Sequence, residues 1–316
     1  MPTRLNVAVA ALLLASAVAS GQQPDKPDRR IAMTMDDLPI VTSAADEQVR
    51  ADFVFDLLNA IFRQKLPVIG FVNEGKLRID GKESQQRVGY LRQWIAAGLE
   101  LGNHTFSHKD LHQVPADEFE RDILNGETVT RALLQKTDRP IRYFRHPYLH
   151  TGTSKEVRDR IDAFLKQHGY LVAPVTIDNS DYVFAAAYDR AVLKEDSGQM
   201  RRIIEAYLKY MDAVFGYYEK QSLAIMGREI PQTLLLHANA LNGRALDSLA
   251  IMLRGRGYRF VPLPEALEDP AYQTNDTYYG PSGISWLHRW ALTQGRDKSI
   301  FAGEPVVPAW IEEAAR

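Results

Sequence analysis

The sequence predicts an α/β protein built as an irregular (β/α) barrel of about seven parallel strands. Three observations lead there. Short apolar runs alternate with segments of helical periodicity, the pattern of repeated βα units. The 316 residues suit one large domain with an elaboration. Ionisable residues recur at or just past the ends of the apolar runs, where a βα barrel assembles its site; these are Asp36, Asp37, His104, His108, Arg145, Asp181 and His237.

Residues 1–19 read as an export signal, with one positive charge at Arg4, an apolar stretch from Leu5 to Val18, and Ala17-Val18-Ala19 as a small-residue cleavage site. That stretch falls short of the roughly 18 to 20 residues that span a bilayer, so no stable membrane span is expected after cleavage. Residues 20–29, rich in Pro and Asp, form a solvated linker. The first strand, Ile31 to Met35, ends at the Asp36-Asp37 pair. Ser43 with Asp46 resembles a capping box for a helix whose apolar face is Val49, Phe53, Leu57 and Ile61, with Val54, Leu58 and Phe62 beside it.

Pro67 to Val72 is the second strand, and a helix from Ser84 to Ala97 stops at Gly98. Leu99 to Asn103 leads into His104. Pro115 opens a third helix with Phe119, Ile123, Thr130 and Leu134 on one face. The strand Ile141 to Phe144 follows. Ser154 caps a helix that ends at Gly169, and Tyr170 to Ile177 is a continuous apolar strand. Thr233 to Leu236 and Tyr258 to Val261 are the last strands, with a helix around Leu246 to Leu253 between them. The barrel domain is expected over 30–268. A helical insertion over 189–227 has no strand partner and is expected beside the cleft, and a C-terminal extension over 269–316 is expected to pack on the domain.

Composition narrows the chemistry. There is no cysteine, which excludes disulfides, a thiol nucleophile, a lipid-anchored lipoprotein and thiolate ligation, so any metal must sit on oxygen and nitrogen. The formal net charge of -2 gives no argument for nucleic acid. Neither a nucleophile elbow, a dinucleotide fingerprint nor a P-loop is present.

Asp36-Asp37 alone would read as a solvated turn or helix cap, and His104-Thr105-Phe106-Ser107-His108 alone as a common surface spacing. It is not the zincin pattern, because Thr105 stands where that pattern needs Glu. Together they point to a metal hydrolase. Two imidazoles four apart can meet one side of a cation, a carboxylate completes a facial set, and the second carboxylate is left to act as a base. Arg145 as a structural ion-pair partner and His237 as a core histidine remain open on the residues alone. His112, His146, His150, His168 and His288 are given surface or structural places.

Five ordered motifs make the chain resemble the polysaccharide deacetylase family, the NodB-homology domain of carbohydrate esterase family 4. They are Thr34-Met35-Asp36-Asp37, His104 to His108, Arg145-His146-Pro147-Tyr148, Asp178-Asn179-Ser180-Asp181-Tyr182 and Leu234-Leu235-Leu236-His237. The resemblance implies a distorted βα barrel that deacetylates N-acetylated carbohydrate. It implies a divalent metal, usually zinc with cobalt or nickel as alternatives, on Asp37, His104 and His108. Asp36 would be the general base and His237 the general acid. Arg145 would orient Asp36, Asp181 would orient His237 and raise its pKa, and the Tyr148 backbone N–H would help bind the oxyanion.

Three positions depart from the family pattern: Leu38 and Leu149 stand where Gly is usual, and Tyr182 where Trp is. All three are expected to shape the sugar pocket, so they bear on substrate identity. The C-terminal aromatics Tyr278, Tyr279, Trp286 and Trp290 are expected to cover a barrel flank in preference to stacking on sugars. The competing functions are a metal-dependent amidase or esterase on a non-carbohydrate substrate, and a sugar-binding barrel without activity.

Overall fold

The computed structural model describes residue 27 and residues 29–137 and 139–316, so the expected signal over 1–19 and most of the linker lie outside the described residues. The strands are β1 (Arg30–Val41), β2 (Ile69–Val72), β3 (Arg78–Ile79), β4 (Lys82–Glu83), β5 (Glu100–Asn103), β6 (Tyr143–Phe144), β7 (Leu171–Val172), β8 (Gln232–Asn239) and β9 (Arg259–Phe260). Seven of them form one parallel sheet in the order β7-β6-β5-β2-β1-β8, with β9 beside the start of β1. The sheet curls until its ends meet. The segment that pairs with β6 at Leu171 and Val172 runs on past Pro174, and Ile177 then bridges to Leu234 of β8. The Thr176 and Ile177 amides both donate to Thr233 O at 3.0 Å.

The helices are α1 (Glu47–Gln64), α2 (Gln85–Ala96), α3 (Ala116–Asn125), α4 (Thr128–Gln135), α5 (Lys155–Gln167), α6 (Asp181–Leu193), α7 (Ser197–Met226), α8 (Ala240–Gly255), α9 (Leu263–Leu267), α10 (Trp286–Thr293) and α11 (Ala309–Ala314). Among the described residues no helix is long and apolar enough to cross a membrane.

The alternation along β1 explains the layers. Ile31, Met33 and Met35 pack with the helices in the main core, while Ala32 joins Ile69, Phe71, Tyr143 and Val261 in a smaller core. Thr34 and Asp36 share the phase of Ala32, so a period of two carries Asp36 to the same face. Each fully buried aliphatic side chain contributes about 1.5 to 3 kcal/mol, which fixes the register. A one-residue slip would drive three such residues into the smaller core and turn the carboxylate away.

Several expectations are corrected. β1 does not end at Asp36-Asp37 but runs to Val41 through an irregularity. The cap of α1 is Asp46, which accepts from the Gln48 and Val49 amides, whereas Ser43 bonds to Asp189. Phe62 is 77% exposed and leaves the apolar face. The single helix expected after Pro115 is two, α3 and α4, broken at Gly126. A Cβ there would lie 2.4 Å from the Thr105 carbonyl carbon, so the break lets the helix end seat against the histidine loop. The β3–β4 hairpin was not anticipated, although its Asp80-Gly81 turn, with both φ positive, is a strong hairpin signal.

The helical elaboration also begins earlier than expected. α6 starts at Asp181, inside the fourth motif, and α7 packs on α6, α8 and α10. Trp286 and Trp290 are buried, as flank-covering residues are.

Candidate active site

Asp36 and His237 are partners in the β1–β8 register, so the ladder itself places them side by side. Asp37 would ordinarily point to the opposite face. Its φ of 69° lies in the irregularity of β1, and this left-handed turn brings both carboxylates to one cleft of about 1320 Å³. His104 follows β5 and donates its Nδ1–H to Arg145 O at 2.8 Å, which leaves Nε2 for a ligand. His108 arrives through a tight loop and not a helix. Thr105 and His108 both have positive φ; Asn103 Oδ1 accepts the Thr105 amide at 2.7 Å, and Thr105 Oγ1 accepts the His108 amide at 3.0 Å.

Ligand atoms of Asp37, His104 and His108 all lie within 4.8 Å of one another. Burial lowers the pKa of both imidazoles, His104 most, and favours the neutral form that binds metal. Burial opposes ionisation of Asp37, but Lys76, His104 and His108 together hold its carboxyl well below the usual range. Two neutral imidazoles and one carboxylate with no hydrogen bond to its buried Oδ1 suit a divalent cation such as zinc, with positions left open. Lys76 Nζ stands 3.0 Å from that same oxygen, an ion pair that sequence reading missed.

Asp36 is 3% exposed, and burial raises its pKa to about 6 against the pull of Arg145 and His237. Arg145 is fully buried. Its NH2 donates to Thr34 Oγ1 at 2.8 Å, its NH1 stands 3.6 Å from Asp36 Oδ2, and its guanidinium lies over Phe71. Burial and these contacts give it a structural place beside Asp36.

Asp181 is wholly buried at the start of α6. Its Oδ1 accepts His237 Nδ1–H at 2.6 Å, and its Oδ2 accepts the His237 amide and Asn242 Nδ2, each at 2.8 Å. Burial alone would lower the His237 pKa, but Asp181 raises it to about 9. Asn242 is tied in turn to Tyr207 of α7, whose hydroxyl donates to its Oδ1 at 2.9 Å. Sequence reading missed both; Asn242 is signalled only by its place in the first turn of the helix that follows His237.

Tyr148, with φ 57°, lines the cleft 4.6 Å from the His108 ring. The Gly280-Pro281-Ser282-Gly283 turn, unexplained in the sequence, seats against it: a Cβ on Gly283 would lie 1.7 Å from Tyr148 O. Leu149 and Tyr182 line the cleft as expected. Leu38 does not; it is 1% exposed and packs where a Cβ on Gly70 would meet it, so it is a core residue. His146 and His288 are buried, and His112 and His150 stack with centroids 3.8 Å apart.

Residues 23–173 match the model of the polysaccharide deacetylase family. The match takes in Asp36, Asp37, His104, His108, Arg145 and Tyr148 and stops before Asp181 and His237. No curated protein matches the chain. Similar solved structures include a mutant of a CE4 family pseudoenzyme with restored enzymatic activity, at 16% identity over 78% of this chain and 69% of that one, TM-score 0.49. Peptidoglycan deacetylase PdaC from Bacillus subtilis has 18% identity over 76% and 91%, TM-score 0.47. A family 4 carbohydrate esterase from Streptomyces lividans in complex with acetate has 17% over 74% and 92%, TM-score 0.45.

Proposed function

From the relationship of this chain to the polysaccharide deacetylases, we propose that it is a metal-dependent hydrolase that removes N-acetyl groups from an amino-sugar polymer or oligosaccharide. The observation that supports this best is the placement of Asp36 and His237 side by side at the mouth of the Asp37, His104 and His108 donor set. Their pKa values of about 6 and about 9 leave a window in which the carboxylate is ionised while the imidazole is protonated. A base and an acid thus coexist.

A divalent cation held by Asp37, His104 and His108 would supply Lewis acidity to the acetamide carbonyl and to water. Asp36 takes the proton of the attacking water as its oxygen bonds to the carbonyl carbon. Arg145 keeps that carboxylate aimed into the cleft, and the Tyr148 backbone N–H faces the developing oxyanion. His237 passes its Nε2 proton to the amide nitrogen as the C–N bond breaks, so acetate and a free amine leave. Asp181 and Asn242 hold the imidazole in the required tautomer and orientation.

Acetate release from N-acetylglucosamine oligomers, O-acetylated xylan and peptidoglycan, measured side by side with and without chelator, tests the reading. Release from the N-acetylated substrates, abolished by chelator and restored by zinc, is expected. Chelator-insensitive release, or none from any N-acetylated glycan, would contradict it. Residues 1–19 support action in the periplasm or outside the cell, and N-terminal sequencing of exported protein checks cleavage near Ala19.

A further inference from the structure

A second cavity, of about 510 Å³, adjoins the cleft and shares Val41, Thr42 and His108 with it. It is cationic. Arg50, Lys76, Arg78 and Arg87 line it with Asn73, Tyr90 and Phe106. Glu47 pairs with both Arg50 and Arg87, and Asp37 pairs with Lys76. Arg78 is held by Gly81 O at 3.2 Å and by the face of Phe106, and it makes no ion pair among the described residues.

Two polar atoms in this lining are buried without a hydrogen bond. Arg50 Nε has the Glu47 carboxylate 3.5 Å away, which leaves Asn73 Oδ1, an acceptor on a side chain only 1% exposed, without a partner among the described residues. Such groups cost free energy unless something pairs with them. Across His108 the main cleft carries more acidic than basic groups, with Asp189, Glu304 and Glu312 against Arg190 in its lining.

We infer that this cavity is a subsite for a sugar unit bearing a carboxylate, next to the N-acetylated unit on which the site acts; this rests on the function proposed above. Arg78, which makes no ion pair among the described residues, and the excess of four cations over Glu47 and Asp37 suit a carboxylate. Asn73 Oδ1 accepts a hydroxyl, Tyr90 and Phe106 form part of the wall, and the volume suits a ligand of this size. The acidic lining of the main cleft repels the same carboxylate, so charge sets which way round the glycan lies.

The test uses a tetrasaccharide of alternating glucuronate and N-acetylglucosamine, and the same compound with its carboxylates reduced to alcohols. At low salt the acidic form should show a KM about tenfold lower with little change in kcat, because the contact is remote from the reacting bond. Arg50→Gln with Arg78→Gln should close that gap and leave the reduced substrate unaffected. Arg78 is exposed, so Arg78→Gln alone carries the test if the double variant does not fold. Calorimetry on chelator-treated protein gives a readout without turnover, in which the acidic form should bind more tightly. Acetate release from both forms with equal KM and equal binding would overturn the subsite and leave the proposed function standing. A binding gap that the substitutions abolish, with no acetate released from either form, would overturn the proposed function and leave the subsite.

Discussion

The described residues hold two Asp-His-His clusters, Asp37 with His104 and His108, and Asp110 with His112 and His150. Their compositions are the same and their spacings comparable, yet their atoms are spent differently. In the second, Asp110 Oδ1 accepts both the His112 amide at 2.8 Å and His150 Nδ1–H at 2.7 Å. His112 Nε2 accepts the Gly152 amide at 3.1 Å, so its Nδ1–H turns to Pro281 O at 3.3 Å. That cluster ties three loops together. In the first, His104 is held through Nδ1 alone, and Asp37 Oδ1 faces the Lys76 ammonium at 3.0 Å with no imidazole or amide donor on it. How the donor atoms are occupied, not residue types, distinguishes the two clusters.

The contrast is sharpest in substitutions that take its parts one at a time. Asp36→Asn and His237→Ala should each lower kcat by about 10²-fold or more, because proton transfer is lost, while one metal per chain remains by elemental analysis. His108→Ala should release the metal and leave the circular dichroism spectrum unchanged. His112→Ala with His150→Ala should do the reverse. Metal content should stay at one while Tm drops by about 2 °C or more for the hydrogen bonds lost. Metal lost from this second pair would break the comparison.

Smaller effects test the supports. Asn242→Ala removes a donor to Asp181 and should lower kcat/KM by roughly tenfold with metal retained, as losses of orienting hydrogen bonds do. Gly283→Ala forces the C-terminal turn off Tyr148 O and should cost about 1 to 3 kcal/mol in a denaturant titration. An unchanged midpoint would mean that the turn yields freely.

The places of Asp36, His104, Arg145 and His237 were legible because each follows an apolar run whose period fixes its face, although β1 and β8 run on past Asp36 and His237. The seven-stranded sheet was legible for the same reason. What periodicity does not encode was not. The left-handed Asp37, the break at Gly126 and the close approach of Gly283 all depend on contacts from distant segments. Lys76 and Asn242 are polar residues whose partners are set by tertiary structure, and Leu38 was placed in the pocket because its burial against Gly70 has no local signature.

The claim that Asp36 and His237 divide the proton work is tested most directly by kcat/KM against pH for acetate release. Protonation of Asp36 removes the base, so activity should fall as pH drops through about 6; deprotonation of His237 removes the acid, so activity should fall as pH rises through about 9. The account predicts a bell with those two limbs, the acidic one absent from the residual activity of Asp36→Asn. A flat profile, or an acidic limb that survives in Asp36→Asn, would contradict it.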